Sequence, residues 1–116
     1  MQLLFVVLND TNLLDDLFAS FYRAGISGAT CVESMGMGRA LSASDVASIP
    51  IFAALRHHLN ESRPHNRTIF ALLDDDEVDK AINAVQQVVG DLSRPGTGLV
   101  FTVPVGRVVG LPKQST

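Results

Sequence analysis

One grammar is written twice along this chain: an apolar run of strand length, a polar break, an amphipathic helical stripe closed by glycine, then a second strand. The first copy opens with Leu3-Leu4-Phe5-Val6-Val7-Leu8, bounded by Asn9-Asp10-Thr11-Asn12. Leu13, Leu14, Leu17, Phe18 and Phe21 then fall on one helical face, Asp15 and Asp16 occupy the early turns that the helix dipole favours for anions, and Gly25 is the stop signal. Ala29 to Ser34 reads as a strand, with Thr30, Val32 and Ser34 alternating against Cys31 and Glu33. The second copy opens with Thr68 to Leu73. Asp74 is a candidate N-cap, and Glu77 three residues on completes a capping-box pattern. Val78, Ala81, Ile82, Val85, Val88 and Val89 make the stripe, Gly90 ends it, and Leu99 to Val105 follows the Gly96-Thr97-Gly98 turn as a fourth strand. Two right-handed strand–helix–strand units imply an α+β fold, the ferredoxin-like βαββαβ sandwich with an antiparallel sheet.

Such a sheet carries both helices on one face and leaves the other bare. Here Leu3, Phe5 and Val7 form one apolar set and Leu4, Val6 and Leu8 another, so both faces of the first strand call for burial. A second copy of the chain is the simplest cover. A length of 116 residues fits one domain, residues 1–116, with the high surface-to-volume ratio that favours self-association.

A hydrophobic fraction of 47% and a charged fraction of 18% exclude a disordered chain. The net charge of −3, with basic residues scattered from Arg23 to Lys113, speaks against a nucleic-acid partner. Cys31 is the single cysteine, so no internal disulfide forms, which suits a reducing cytoplasm. The opening apolar run is too short to be a signal segment or to span a bilayer, so a protein not embedded in a membrane is expected. The Asn-x-Ser/Thr triplets at Asn9, Asn60 and Asn66 then read as chance.

Residues 36–66 join the two units, a connection long enough to carry structure or function of its own. Its start, Gly36 to Ser44, is rich in glycine and serine. Ser48 to Leu59 reads as an extra short helix, with Phe52, Leu55 and Leu59 on one face and Pro50 in the first turn. Asn60 to Arg67 reads as loop.

Two segments carry a family resemblance. "AGISGATCVESMGMGR", Ala24 to Arg39, resembles the PII nitrogen-regulatory signal-transduction proteins, in which a Gly-Ile-x-Gly-x-Thr turn leads into a strand ending in Gly-Phe-Gly-Arg. The matching positions are Gly25, Ile26, Gly28, Thr30, Gly36, Met37, Gly38 and Arg39. "GTGLVFTVPVGRVV", Gly96 to Val109, resembles the family's Gly-Asp-Gly-Lys-Ile-Phe-Val segment and the short helix after it. The resemblance implies a homotrimer with sheets packed around its axis and a cleft between subunits that binds an adenine nucleotide. It also implies a long connection, the T-loop, that docks onto a transporter, enzyme or regulator. On this reading Thr30, Gly36, Gly38, Arg39, Gly96, Thr97 and Gly98 are the ligand-binding residues, Thr30 facing the base and the glycine turns offering N–H groups to anionic oxygens.

The chain also departs from that pattern. Thr97 stands where the family has an acidic residue, Leu99 where it has a phosphate-binding lysine, and Gly110 and Pro112 where it has paired arginines. A triphosphate normally needs cationic partners, which speaks against tight binding of ATP, while AMP, ADP, another small anion and no nucleotide all stay open. The only tyrosine, Tyr22, lies in the first helix, so a modified loop tyrosine is not expected.

His57, His58, His65 and Glu61 lack the pairing of a metal site and read as a solvated face; the acidic run Asp74 to Glu77 reads as a helix start. Cys31 reads as a small core residue. A CutA-like trimer that binds partners or responds to metal without a nucleotide is the alternative. An acylphosphatase-like enzyme is a weaker one, because no arginine loop follows the first strand and no nucleophile–base pair is visible; no catalytic residue is assigned.

Overall fold

The computed structural model describes residues 1–37 and 65–111. The expected helix at Ser48–Leu59, and with it Gly38, Arg39, His57 and His58, lies outside the described residues. Within them the order is β1 (Gln2–Leu8), α1 (Leu14–Arg23), β2 (Thr30–Met35), β3 (His65–Leu73), α2 (Val78–Val89) and β4 (Gly98–Pro104), with a single 3-10 turn ahead of each helix. The strands form one sheet in the order β2-β3-β1-β4, and all three pairings are antiparallel. This is the ferredoxin-like α+β arrangement expected from the doubled grammar.

Burial follows the alternation of β1. Leu4, Val6 and Leu8 are fully buried beneath the helices, together with Ile69, Ala71 and Leu73 of β3. Leu17 and Phe21 of α1 and Ala81, Ala84 and Val85 of α2 close the core from above. Ser20 is its one buried polar residue among the described residues, and its hydroxyl donates to the carbonyl of Ala84 at 2.9 Å. That bond lets the two helices approach through small residues without leaving a polar group unsatisfied. Cys31 is half-buried against the same core.

Helix ends obey their local chemistry. At the end of α1, Gly25 takes φ +87°, the N–H of Ile26 reaches the carbonyl of Phe21 at 2.9 Å, and that of Gly25 reaches Tyr22 at 3.0 Å. This is a Schellman closure, and the buried Ile26 anchors it. Before α2, the Glu77 carboxylate accepts the Asp74 N–H at 2.9 Å in a capping box. Gly90, at φ +83°, ends α2.

Two boundaries correct the sequence reading. His65, Asn66 and Arg67, expected in a loop, are the first residues of β3. Arg67 still pairs with Leu8 at the end of β1, and His65 and Asn66 project past it as a two-stranded arm with the end of β2. Arg67 pairs with Glu33 at 3.3 Å, and the Ser34 hydroxyl bonds to both Asn66 and Thr68. Polar cross-strand pairs hold this arm, so it has no apolar signature. The second correction concerns the short helix expected after the fourth strand. Val105 extends the β4–β1 ladder one step by donating to Met1 O at 3.1 Å, and residues 105–111 contain neither helix nor strand. Pro104 is tolerated in β4 because that strand lies at the sheet edge.

Candidate functional site

The pairing registers give the open face of the sheet row by row. One row runs Thr30, Phe70, Phe5, Phe101 from edge to edge. Phe5 stacks on Phe101 with centroids 4.9 Å apart and planes 17° apart, and lies 6.3 Å from Phe70. The neighbouring rows add Leu3, Leu72 and Val103 on one side and Val7, Leu99 and Val32 on the other. Phe101 keeps 43% and Leu99 56% of its surface exposed. An apolar face of this extent marks an interaction surface.

The candidate ligand residues lie at the margins of that face. Thr30 begins β2, is exposed, and opposes Phe70. It lines a groove of about 1290 Å³ with Gly28, Leu72, Arg107, Val108 and others from the 105–111 segment. Gly36 follows β2 at the far end of the arm. Its backbone avoids the left-handed region, and a Cβ placed there meets only Asn66 Nδ2, at 3.6 Å. At Gly36 itself, then, neither backbone conformation nor close approach requires glycine. Gly38 and Arg39, the rest of that motif, lie outside the described residues.

Gly96-Thr97-Gly98 behaves differently, because both glycines there hold a positive φ and a Cβ at Gly98 has no room. Gly96 has φ +79° and Gly98 φ +146°. A Cβ on Gly98 would stand 2.7 Å from the carbonyl oxygen of Val7. The turn is fastened on three sides. Asn9 Nδ2 donates to the Gly96 carbonyl at 3.1 Å, the Thr97 hydroxyl donates to the Arg94 carbonyl at 2.9 Å, and Gly98 pairs with Leu8. Upstream, Asp91 accepts from the Ser93 hydroxyl at 2.6 Å and the Ser93 N–H at 2.9 Å. These two bonds, the hydroxyl first, hold the Asp91 carboxyl below its ordinary pKa of 3.8. Sequence reading missed Asn9 as a clamp. It sits 87 residues from its partner, and nothing local to the first strand signals the bond.

Within one chain these two groups do not meet. Thr30 and Gly36 belong to the β2 edge, Gly96 to Gly98 to the β4 edge. Three strand spacings separate the edges, about 14 Å. Among the described residues no group of three or more His, Cys, Asp or Glu is placed to hold a metal ion. His65 is exposed on β3 opposite Met35, and Asp74 to Glu77 start a helix as the sequence suggests. Among the same residues no helix is long and apolar enough to cross a membrane.

The described elements define a class: a ferredoxin-like α+β protein with two helices on one face of a four-stranded antiparallel sheet and an apolar opposite face. The chain belongs to the nitrogen regulatory protein P-II family, whose model matches residues 1–114. No curated protein matches the chain. Proteins of the P-II family are trimeric regulators that bind partner proteins, and membership makes this chain a PII-like regulatory signal-transduction protein.

Proposed function

We propose that the chain works as a cytoplasmic, non-enzymatic homotrimer that senses a small ligand, an adenine nucleotide, in a cleft between subunits. Residues 40–66 carry the signal to a regulated partner, a transporter or an enzyme. The observation that supports this reading is the separation of the two glycine segments. Thr30 and Gly36 lie on one edge of the sheet and Gly96 to Gly98 on the other, with an exposed aromatic face between. Copies packed by their open faces around an axis set the β2 edge of one beside the β4 edge of the next. The same packing buries Phe101, Val103 and Val32, which water otherwise meets at an unfavourable free energy of about 25 cal/mol per Å².

In that cleft the rigid Gly96–Gly98 turn presents backbone N–H groups to phosphate oxygens, and Thr30 lies beside an apolar wall of Phe70 and Leu72 suited to a purine ring. Leu99 brings no positive charge to the phosphates, so AMP and ADP suit the site better than ATP.

Calorimetric titration of AMP, ADP and ATP tests the proposal. Saturable heat with one ligand per chain is expected, lost in Thr30→Tyr, which fills the groove from an exposed position. Silence with all three nucleotides contradicts the sensor reading. If such a silent protein is still trimeric, the nucleotide-free partner-binding alternative takes its place.

A further inference from the structure

A second concavity lies on the opposite side of the molecule, between the outer surfaces of the two helices. It encloses about 250 Å³. Ser20 and Ala84 form its floor, where the Ser20–Ala84 hydrogen bond draws α1 and α2 together. Its walls are Arg23 from the last turn of α1 and Lys80, Asn83 and Gln87 from α2. The last three are spaced i, i+3, i+7, so they project along one stripe of α2 toward α1.

Charge makes this notch unusual for the chain. The protein carries 12 acidic and 9 basic side chains, yet two cations and two amides converge here and no carboxylate lines the cavity. Neither Arg23 nor Lys80 makes an ion pair with a described residue, although Asp76 and Asp79 are close to Lys80 in sequence. With no described carboxylate paired to either, the two cations facing one concavity repel each other. An anion between them removes that repulsion and accepts charge-assisted hydrogen bonds. Asn83 and Gln87 supply further N–H donors, and the small floor leaves room for a compact group.

We propose that the notch between α1 and α2 is a binding site for a small oxyanion of the phosphate or dicarboxylate class, held by Arg23 and Lys80 with Asn83 and Gln87. The site stands on the helix face, away from the open sheet face. It is therefore independent of the nucleotide reading and survives or fails separately.

The test is NMR titration of the full chain at low ionic strength with inorganic phosphate in one arm and succinate in the other. The side-chain amide signals of Asn83 and Gln87 report on the notch, and the backbone signals of Gly96 and Gly98 report on the sheet-edge turn. Saturable shifts of the Asn83 and Gln87 signals with one probe, and smaller ones with the other, are expected and identify the anion class. The double variant Arg23→Gln, Lys80→Gln changes only exposed side chains. It is expected to weaken the response about tenfold or more, with the turn signals unchanged. The proposal is overturned if neither probe gives a saturable shift, or if the double variant responds as the parent does.

Discussion

At the residue scale the glycine turn before β4 is the most constrained point of the site. Gly96 and Gly98 are visible in the sequence as a turn, but the reason Gly98 is obligatory is not, because it lies in the Val7 carbonyl, 2.7 Å from where a Cβ would sit. Gly98→Ala should cost about 2 kcal/mol or more, combining positive-φ strain with a clash against backbone that cannot yield. Urea denaturation would show the loss as a lower midpoint. Gly36 illustrates the reverse, since the motif made it stand out while its backbone is outside the left-handed region and leaves room for a Cβ. Leu99 carries the main chemical departure of the turn. With more than half its surface exposed, Leu99→Lys should fold normally and strengthen ATP binding by about tenfold relative to AMP, as a charge-assisted contact does; calorimetry with both nucleotides checks this. Asp91 offers a pH probe. Its carboxyl is held below 3.8, so the ionised form is favoured in the folded chain. Its contribution is complete above the unfolded value and is lost as pH falls through the folded one. Following the Asp91 carboxyl by NMR should give a midpoint below 3.8 that moves up in Ser93→Ala.

At the scale of elements the sequence was readable wherever burial sets the pattern. The stripes of α1 and α2, the alternation of β1, the closing glycines and the Asp74–Glu77 box all rest on local chemistry, and all are found. Asp74→Ala should therefore cost about 1 kcal/mol of thermodynamic stability, measured in the same denaturation assay. What escaped the reading is held by contacts distant in sequence or by polar pairing. The first residues of β3 are strand because Glu33, Ser34 and their partners across the arm pair with them, and no hydrophobic period announces that. Ser20 and Ala84 carry the helix contact through a hydroxyl and a backbone carbonyl, a bond no stripe of apolar residues reveals. Asn9 ties the end of β1 to the glycine turn in the same silent way. Asn9→Ala should loosen that turn. Faster amide exchange at Gly96 to Gly98 than in the parent, with β1 itself unchanged, is the outcome to look for.

At the scale of the whole molecule the sheet order decides what the chain can do alone. The doubled grammar in the sequence points to this order, and the two apolar faces of β1 point to a partner. The row of Phe70, Phe5 and Phe101 gives that partner a defined landing surface. The order β2-β3-β1-β4 also puts the two glycine segments on opposite edges. That separation could be found only in three dimensions, because neither segment read along the chain says on which edge of the sheet it lies. On the proposed function it ties ligand binding to assembly, because a cleft built from these two edges needs a second copy. The mass of the protein in solution, measured by multi-angle light scattering across a range of concentrations, tests this most directly. The account predicts a particle of about three times the 12.4 kDa chain, one that Phe101→Lys breaks down; a stable 12.4 kDa monomer for the parent protein would contradict it.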